Sequence, residues 1–206
     1  MHTSDPRFRV LHALRVRGIA DEASVASAVG GDTAGTRAVL EELAAEELVK
    51  QRSGRVAGWV LTRGGRAAHE EQLARDRDEG GLVETLRPAY EKFLAVNQPF
   101  IDLVSSWQVR SDTGETNDHT DEAYDARLLA TLDEIHTEGA AAAGSAAEAA
   151  ERFDTYAPRL DAAIAKVRAG EHEWFARPTI DSYHTVWFQL HEDLLLSQGI
   201  ERGEGR

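Results

Sequence analysis

Apolar positions recur with helical period along most of the chain and with strand period in one short stretch. Phe8, Leu11 and Leu14 form a stripe that ends at Gly18, and Asp5-Pro6 supplies a cap and a first-turn proline for it. Asp21 opens a second short helix through Val29, with Val25, Ala28 and Val29 facing inward, and Gly30-Gly31 makes the next turn. Val39, Leu40 and Leu43 then hold helical spacing across residues 33–46, behind Asp32 or Thr33 as the cap. The period changes after that helix. Leu48 to Gln51 and Val56 to Leu61 read as strands joined by the turn Arg52-Ser53-Gly54-Arg55. Thr62 is positioned to cap a helix running from Arg63 to Glu79. Its apolar content is confined to Ala67, Ala68, Leu73 and Ala74, so it is expected on the surface or between domains. Gly80-Gly81 marks the expected boundary, dividing the chain into residues 1–80 and 81–206.

The second part reads as helices alone. Residues 82–108 carry Leu82, Leu86, Tyr90, Phe93, Phe100, Val104 and Trp107 at helical spacing, with Pro99 bending or breaking the run. The polar loop RSDTGETNDHT follows, and Leu128, Leu129, Leu132 and Ile135 define a helix over 121–137. The alanine-rich stretch 140–150 is expected to contain a helix end, a Gly-Ser break and a new start. Residues 145–168 continue through Phe153, Tyr156, Leu160 and Ile164, interrupted at Pro158. Asp181 is the expected cap of the last helix, which has Tyr183, Val186, Trp187, Leu190 and Leu194 on one stripe. His184, Phe188, His191 and Leu195 lie beside it. So broad an apolar face predicts the central helix of an all-α bundle, and a mainly α protein overall.

Composition narrows the function classes. A chain of 206 residues, 42% hydrophobic and 29% charged, accommodates two compact globular domains. With no cysteine there are no disulfides, no thiolate nucleophile and no Cys-ligated zinc, which suits a cytoplasmic location. No apolar run reaches membrane-spanning length, and the start MHTSDPRFRV lacks a signal peptide's apolar core, so no membrane association is expected. Twenty arginines beside three lysines, with abundant alanine, match the bias of a high-GC bacterial genome. The net charge of −13 opposes nucleic-acid binding until it is divided. Residues 1–80 hold 12 Lys and Arg against 13 Asp and Glu, whereas residues 81–206 hold 11 against 23. Local field therefore decides for the first part.

A helix running into a hairpin with arginines at its tip resembles the recognition helix and wing of winged-helix DNA-binding domains. The residues Leu40-Glu41-Glu42-Leu43, Glu47-Leu48-Val49, Gly58-Trp59, Leu61-Thr62 and Gly65 are similar to the pattern of MarR-type bacterial transcription regulators. The likeness covers about the first 80 residues and departs at Glu47, where such sequences carry Gly. It implies a winged helix of three helices plus a hairpin, followed by an all-α domain that dimerises, senses an effector, or both. On that pattern Thr33, Thr36 and Arg37 would face bases, while Arg52, Arg55, Arg63 and Arg66 would face the minor groove or phosphates of double-stranded DNA. Winged helices also dock on proteins, and this is the alternative.

Candidate chemistry in the second part is sparser. Asn117-Asp118-His119-Thr120-Asp121, with Tyr124 and Asp125, offers oxygen and imidazole donors for a divalent cation. The simpler expectation is a solvated loop in which Asp118 or Thr120 caps the next helix, with no metal site. His184 and His191 are separated by about 10 Å along one helix, too far to share an ion. No nucleophile motif or phosphate loop occurs, so neither catalytic residues nor a cofactor are expected; a metal-dependent helical enzyme is the remotest alternative. Trp107, Arg110, Arg177, Asp181, Tyr183, His184, Trp187 and His191 are the candidates for a small-molecule effector pocket. The two arginines within an acidic domain favour an anionic effector.

Overall fold

The computed structural model describes residues 1–54 and 56–200. It is mainly helical, with one two-stranded antiparallel sheet among the described residues. The chain forms two compact units. The first comprises residues 1–87, 146–155 and 189–206, and the second residues 88–145 and 156–188. This division differs from the one expected at Gly80, because two later segments join the first unit.

In the first unit, α1 (Pro6–Arg17), α2 (Glu22–Val29) and α3 (Thr33–Ala45) precede β1 (Val49–Arg52) and β2 (Gly58–Leu61). Each helix begins where an oxygen-bearing side chain can satisfy free amides of the first turn. Asp5 accepts from the amides of Arg7 and Phe8, Asp21 from that of Ser24, and Asp32 from that of Gly35. The apolar faces converge on Val10, Leu11, Leu14, Val25, Leu40, Leu43, Val49, Trp59 and Leu61, all buried. Fully burying each large side chain contributes roughly 1.5–3 kcal/mol, so this cluster carries much of the unit's stability. The strands pair Val49 with Leu61 and Arg52 with Gly58. Ala20 extends the sheet by exchanging backbone hydrogen bonds with Trp59.

α4 (Arg63–Gly80) starts at Thr62, whose hydroxyl accepts from the Gly65 amide. Gly65 is required by close approach, since a Cβ there would overlap the Leu48 carbonyl. This helix lies at the surface, with Arg63, Arg66, Glu70, Glu71, Arg75 and Glu79 exposed, but it also has an inner face that its few apolar residues do not predict. α4 packs on α1 and buries His69, Leu73 and Asp76, so its inner face is polar rather than absent. α5 (Leu82–Thr85) follows Gly81.

The second unit holds most of α6 (Arg87–Gln108), which accommodates Pro99 within one continuous helix. α7 (Glu122–Ala149) also runs unbroken, passing straight through Gly144-Ser145 where a break was expected. A short 3-10 turn (Glu151–Thr155) leads to α8 (Tyr156–Arg168), α9 (Glu173–Ala176) and α10 (Tyr183–Gln198). Pro158 lies in the first turn of α8, where its missing amide is harmless. Asp181 does not cap α10. The Ser182 hydroxyl accepts from the Thr185 amide instead, and Asp181 pairs with Arg159 at 2.9 Å. α10 is buried nearly all round, but its second stripe differs from expectation. Phe188 is exposed, whereas Gln189, Glu192, Asp193 and Ser197 are buried. No helix among the described residues is long and apolar enough to cross a membrane.

Candidate functional site

Two surfaces were marked by the sequence, one in each unit. On the first, α3 exposes Thr33, Arg37 and Ala38 on the side opposite Leu40 and Leu43. Thr36 does not belong to that exposed face. It is 5% exposed and lines a depression with Val29, Gly31 and Val39, because its position faces the α2–α3 turn. Arg37 is 57% exposed and reaches back to Glu22 at 2.6 Å, a hydrogen-bonded pairing that raises its pKa. Glu41, Glu42 and Glu46 are exposed further along the helix. Glu46 is held by Arg7 at 2.6 Å, so part of its charge is answered.

Lys50 and Arg52 project from β1 into solvent, and Arg63 and Arg66 are exposed on the first turn of α4. Arg55 lies outside the described residues. Val56, expected to begin the second strand, is exposed ahead of β2. Cations thus occur on the hairpin and on the helix that follows it, while the same elements' inner positions are filled by Val49, Trp59 and Leu61.

The aromatic candidates of the second unit fall into separate groups. Tyr183, His184 and Trp187 pack against Phe100, with ring centroids 4.5–6.0 Å apart, and Phe93 lies 4.7 Å from Trp187. The Trp187 indole donates to Asn97 at 3.0 Å, and the Tyr183 hydroxyl lies 3.3 Å from His136 Nδ1. Burial pushes the Tyr183 pKa up and the His184 and His136 pKa values down, with Asp161 at 3.1 Å from His136 acting against the last of these. Trp107 instead stacks on Phe175 at 4.3 Å. With Thr116, Glu173 and Arg177 it lines an open depression of about 340 Å³.

Arg110 is occupied: its guanidinium pairs with Asp112 and Asp121, both at 2.9 Å, and lies over the Tyr124 ring. Those bonds raise its pKa and lower that of Asp112, while that of Asp121 is lowered first by the Tyr124 amide and then by Arg110. Arg177 is exposed beside Glu173 and Thr179. His191 belongs to the first unit. Neither Asp118 nor Thr120 caps α7. Asp118 accepts from Thr120, and Asp121 accepts from the Tyr124 amide at the helix start.

Sequence reasoning missed a buried polar network in the first unit. Arg152, 5% exposed, donates to Asp76 at 2.6 Å, Asp193 at 3.3 Å, Ser197 at 2.6 Å and Ser4 at 3.3 Å. His2 lies 2.7 Å from Asp76. His12 Nε2 is 2.9 Å from Asp193, and His12 Nδ1 is 3.0 Å from His69 Nε2. Removing one partner from such a buried charge set costs about 3–5 kcal/mol, so the network ties α1, α4, α10 and the 3-10 turn into one unit. One signal in the sequence is Asp193, an acidic residue set between the apolar positions Leu190 and Leu194.

No family model matches the chain, and no curated protein or solved structure matches it.

Proposed function

We propose that the first unit contains a winged helix that binds double-stranded DNA, and that the protein is a bacterial transcription regulator acting in the cytoplasm. The supporting observation is the division of labour on α3 and the hairpin. Their inner faces build the core, while Thr33, Arg37, Lys50, Arg52, Arg63 and Arg66 are exposed and have no core role. In this reading the start of α3 enters a major groove and the hairpin lies along the adjacent minor groove or phosphates.

A second reading, docking on a protein, is favoured by one observation. Arg37 is tied to Glu22, and Glu41, Glu42 and Glu46 follow on α3, so that helix presents more negative than positive charge to a phosphate backbone. A gel shift against fragments from upstream of the protein's own gene separates the two. The DNA reading expects a preferred fragment at low salt. Arg37→Ala should relax that preference, costing about 1–3 kcal/mol at the preferred site. The absence of any fragment preference at low salt would transfer the proposal to docking.

The all-α second unit is proposed to sense a small molecule and to support a homodimer, which presents two recognition helices to two half-sites. Arg110 is held by two aspartates and Arg177 at the Trp107 depression by Glu173 at 3.4 Å, so an anionic effector would have to compete with these carboxylates for either guanidinium. No catalytic role is proposed. Light scattering should give twice the 22.6 kDa chain mass, and a single-chain mass would reject the dimer.

A further inference from the structure

The loop between α6 and α7 meets the turn ahead of α9 at a cluster that the DNA surface does not involve. One imidazole nitrogen each from His119 and His172 and one carboxylate oxygen of Asp125 lie within 4.8 Å of one another. We propose that these three side chains bind a divalent transition-metal ion of the zinc class. The inference stands whether or not the first unit binds DNA.

Donor chemistry selects the ion. Two imidazoles and one carboxylate suit zinc, cobalt, nickel or iron(II), whereas calcium and magnesium favour all-oxygen shells. Bonds of about 2.0–2.2 Å bring donor atoms to roughly 3–3.5 Å from one another, so a modest closure of the two rings completes the shell. His119 Nδ1 is already 2.9 Å from Asp125 Oδ2, so one imidazole and one carboxylate donor stand side by side.

The surroundings hold the donors in place. Asp125 is 5% exposed, and its Oδ1 accepts from the Asn117 amide at 2.9 Å, which leaves Oδ2 directed at His119. Asn117 is itself buried. It donates to the Trp107 carbonyl at 3.3 Å and accepts from the His119 amide at 3.2 Å. Such outer-shell bonds fix ligand orientation in metal sites. His119 takes a left-handed backbone, φ +60°, a region uncommon for non-glycine residues although histidine enters it more readily than most. Its ring lies 4.4 Å from Trp107 and 5.1 Å from His172. The side chains hydrogen-bonded to the buried Asp125 carboxylate are an amide and an imidazole, so a cation on the imidazole side balances its charge. The depression lined by Thr116, Glu173 and Arg177 gives the ion an entry path and leaves room for a fourth ligand.

The test uses the full chain stripped of metal with a chelator and titrated with cobalt(II), then with zinc in competition. One equivalent per chain should bind, with visible ligand-field bands and quenching of tryptophan fluorescence. His172→Ala and Asp125→Asn should each weaken binding by at least about tenfold. Metal-free melting curves of the variants separate a missing ligand from a failure to fold. Trp107→Phe retains all three ligands and an aromatic ring beside His119, so it should still bind cobalt with the same bands. Failure of the wild type to bind cobalt or zinc, or His172→Ala and wild type binding equally, would overturn the proposal.

Discussion

Glu47 has a left-handed backbone, φ +58°, where the chain leaves α3 for β1. Its carbonyl accepts the Thr62 hydroxyl at 2.7 Å, and the amide of the next residue, Leu48, returns to the Leu43 carbonyl, so the turn is clamped at both ends. This conformation costs a non-glycine residue about 1–2 kcal/mol, part of which glycine returns as extra freedom in the unfolded chain. Glu47→Gly should therefore raise the unfolding free energy by about 0.5–1 kcal/mol, measured by urea titration; a decrease would show that the side chain stabilises the turn. His69 presents the opposite case, a side chain whose ionisation the fold forbids. Burial, and then the neighbouring His12 ring, push its pKa down to about 3 from 6.5. Between those values the unfolded chain binds a proton that the folded chain refuses, so stability is lost as pH falls from about 6.5, at up to about 1.4 kcal/mol per unit. Burial of His136 and His184 acts in the same direction. His69→Gln keeps a polar partner for His12 and does not titrate, so its stability should fall less steeply between pH 7 and pH 5. An unchanged slope would contradict this assignment.

Helix starts were legible in the first unit, whereas the caps expected at Asp181 and at Asp118 or Thr120 fall instead on Ser182 and Asp121. Asp5, Asp21, Asp32 and Thr62 could be recognised because a cap acts on amides two or three residues away, within reach of a local pattern. The departure at Glu47 was likewise visible as a missing glycine. What depends on distant partners was not legible. α4 looked solvent-facing because Asp76 is matched by Arg152, and His69 by His12, residues that no local window contains. The cluster at His119 was visible only in part, since His172 arrives from beyond two further helices. Within α7 the alanine-rich stretch misled for a different reason. Glycine weakens a helix by only about 1 kcal/mol, which packing overrides. Gly144 has open space around its Cβ position, so Gly144→Ala should stabilise by about 0.5–1 kcal/mol. Gly139 is the contrasting position, because a Cβ there would run into the buried Trp187 ring. Gly139→Ala should cost about 1–3 kcal/mol. Denaturation midpoints that move the same way for both variants would reject this distinction.

On the scale of the whole molecule, charge is the feature on which function turns. A net charge of −13 disfavours any polyanion, and the excess lies in residues 81–206. On the proposed reading the first unit binds DNA through a small set of exposed cations, of which Arg52, Arg63 and Arg66 form the group on and after the hairpin. So small a set implies modest affinity and a shallow salt dependence, with selectivity resting on the start of α3. Fluorescence anisotropy of a labelled duplex from upstream of the protein's own gene, titrated at several salt concentrations, tests this claim most directly. The wild type should bind at low salt and weaken as salt rises. The Arg52→Ala, Arg63→Ala, Arg66→Ala variant should bind less tightly, with a log–log slope shallower by about 0.9 for each phosphate that is no longer neutralised. No binding by the wild type at the lowest salt, or a variant with unchanged affinity and slope, would contradict the DNA-binding account.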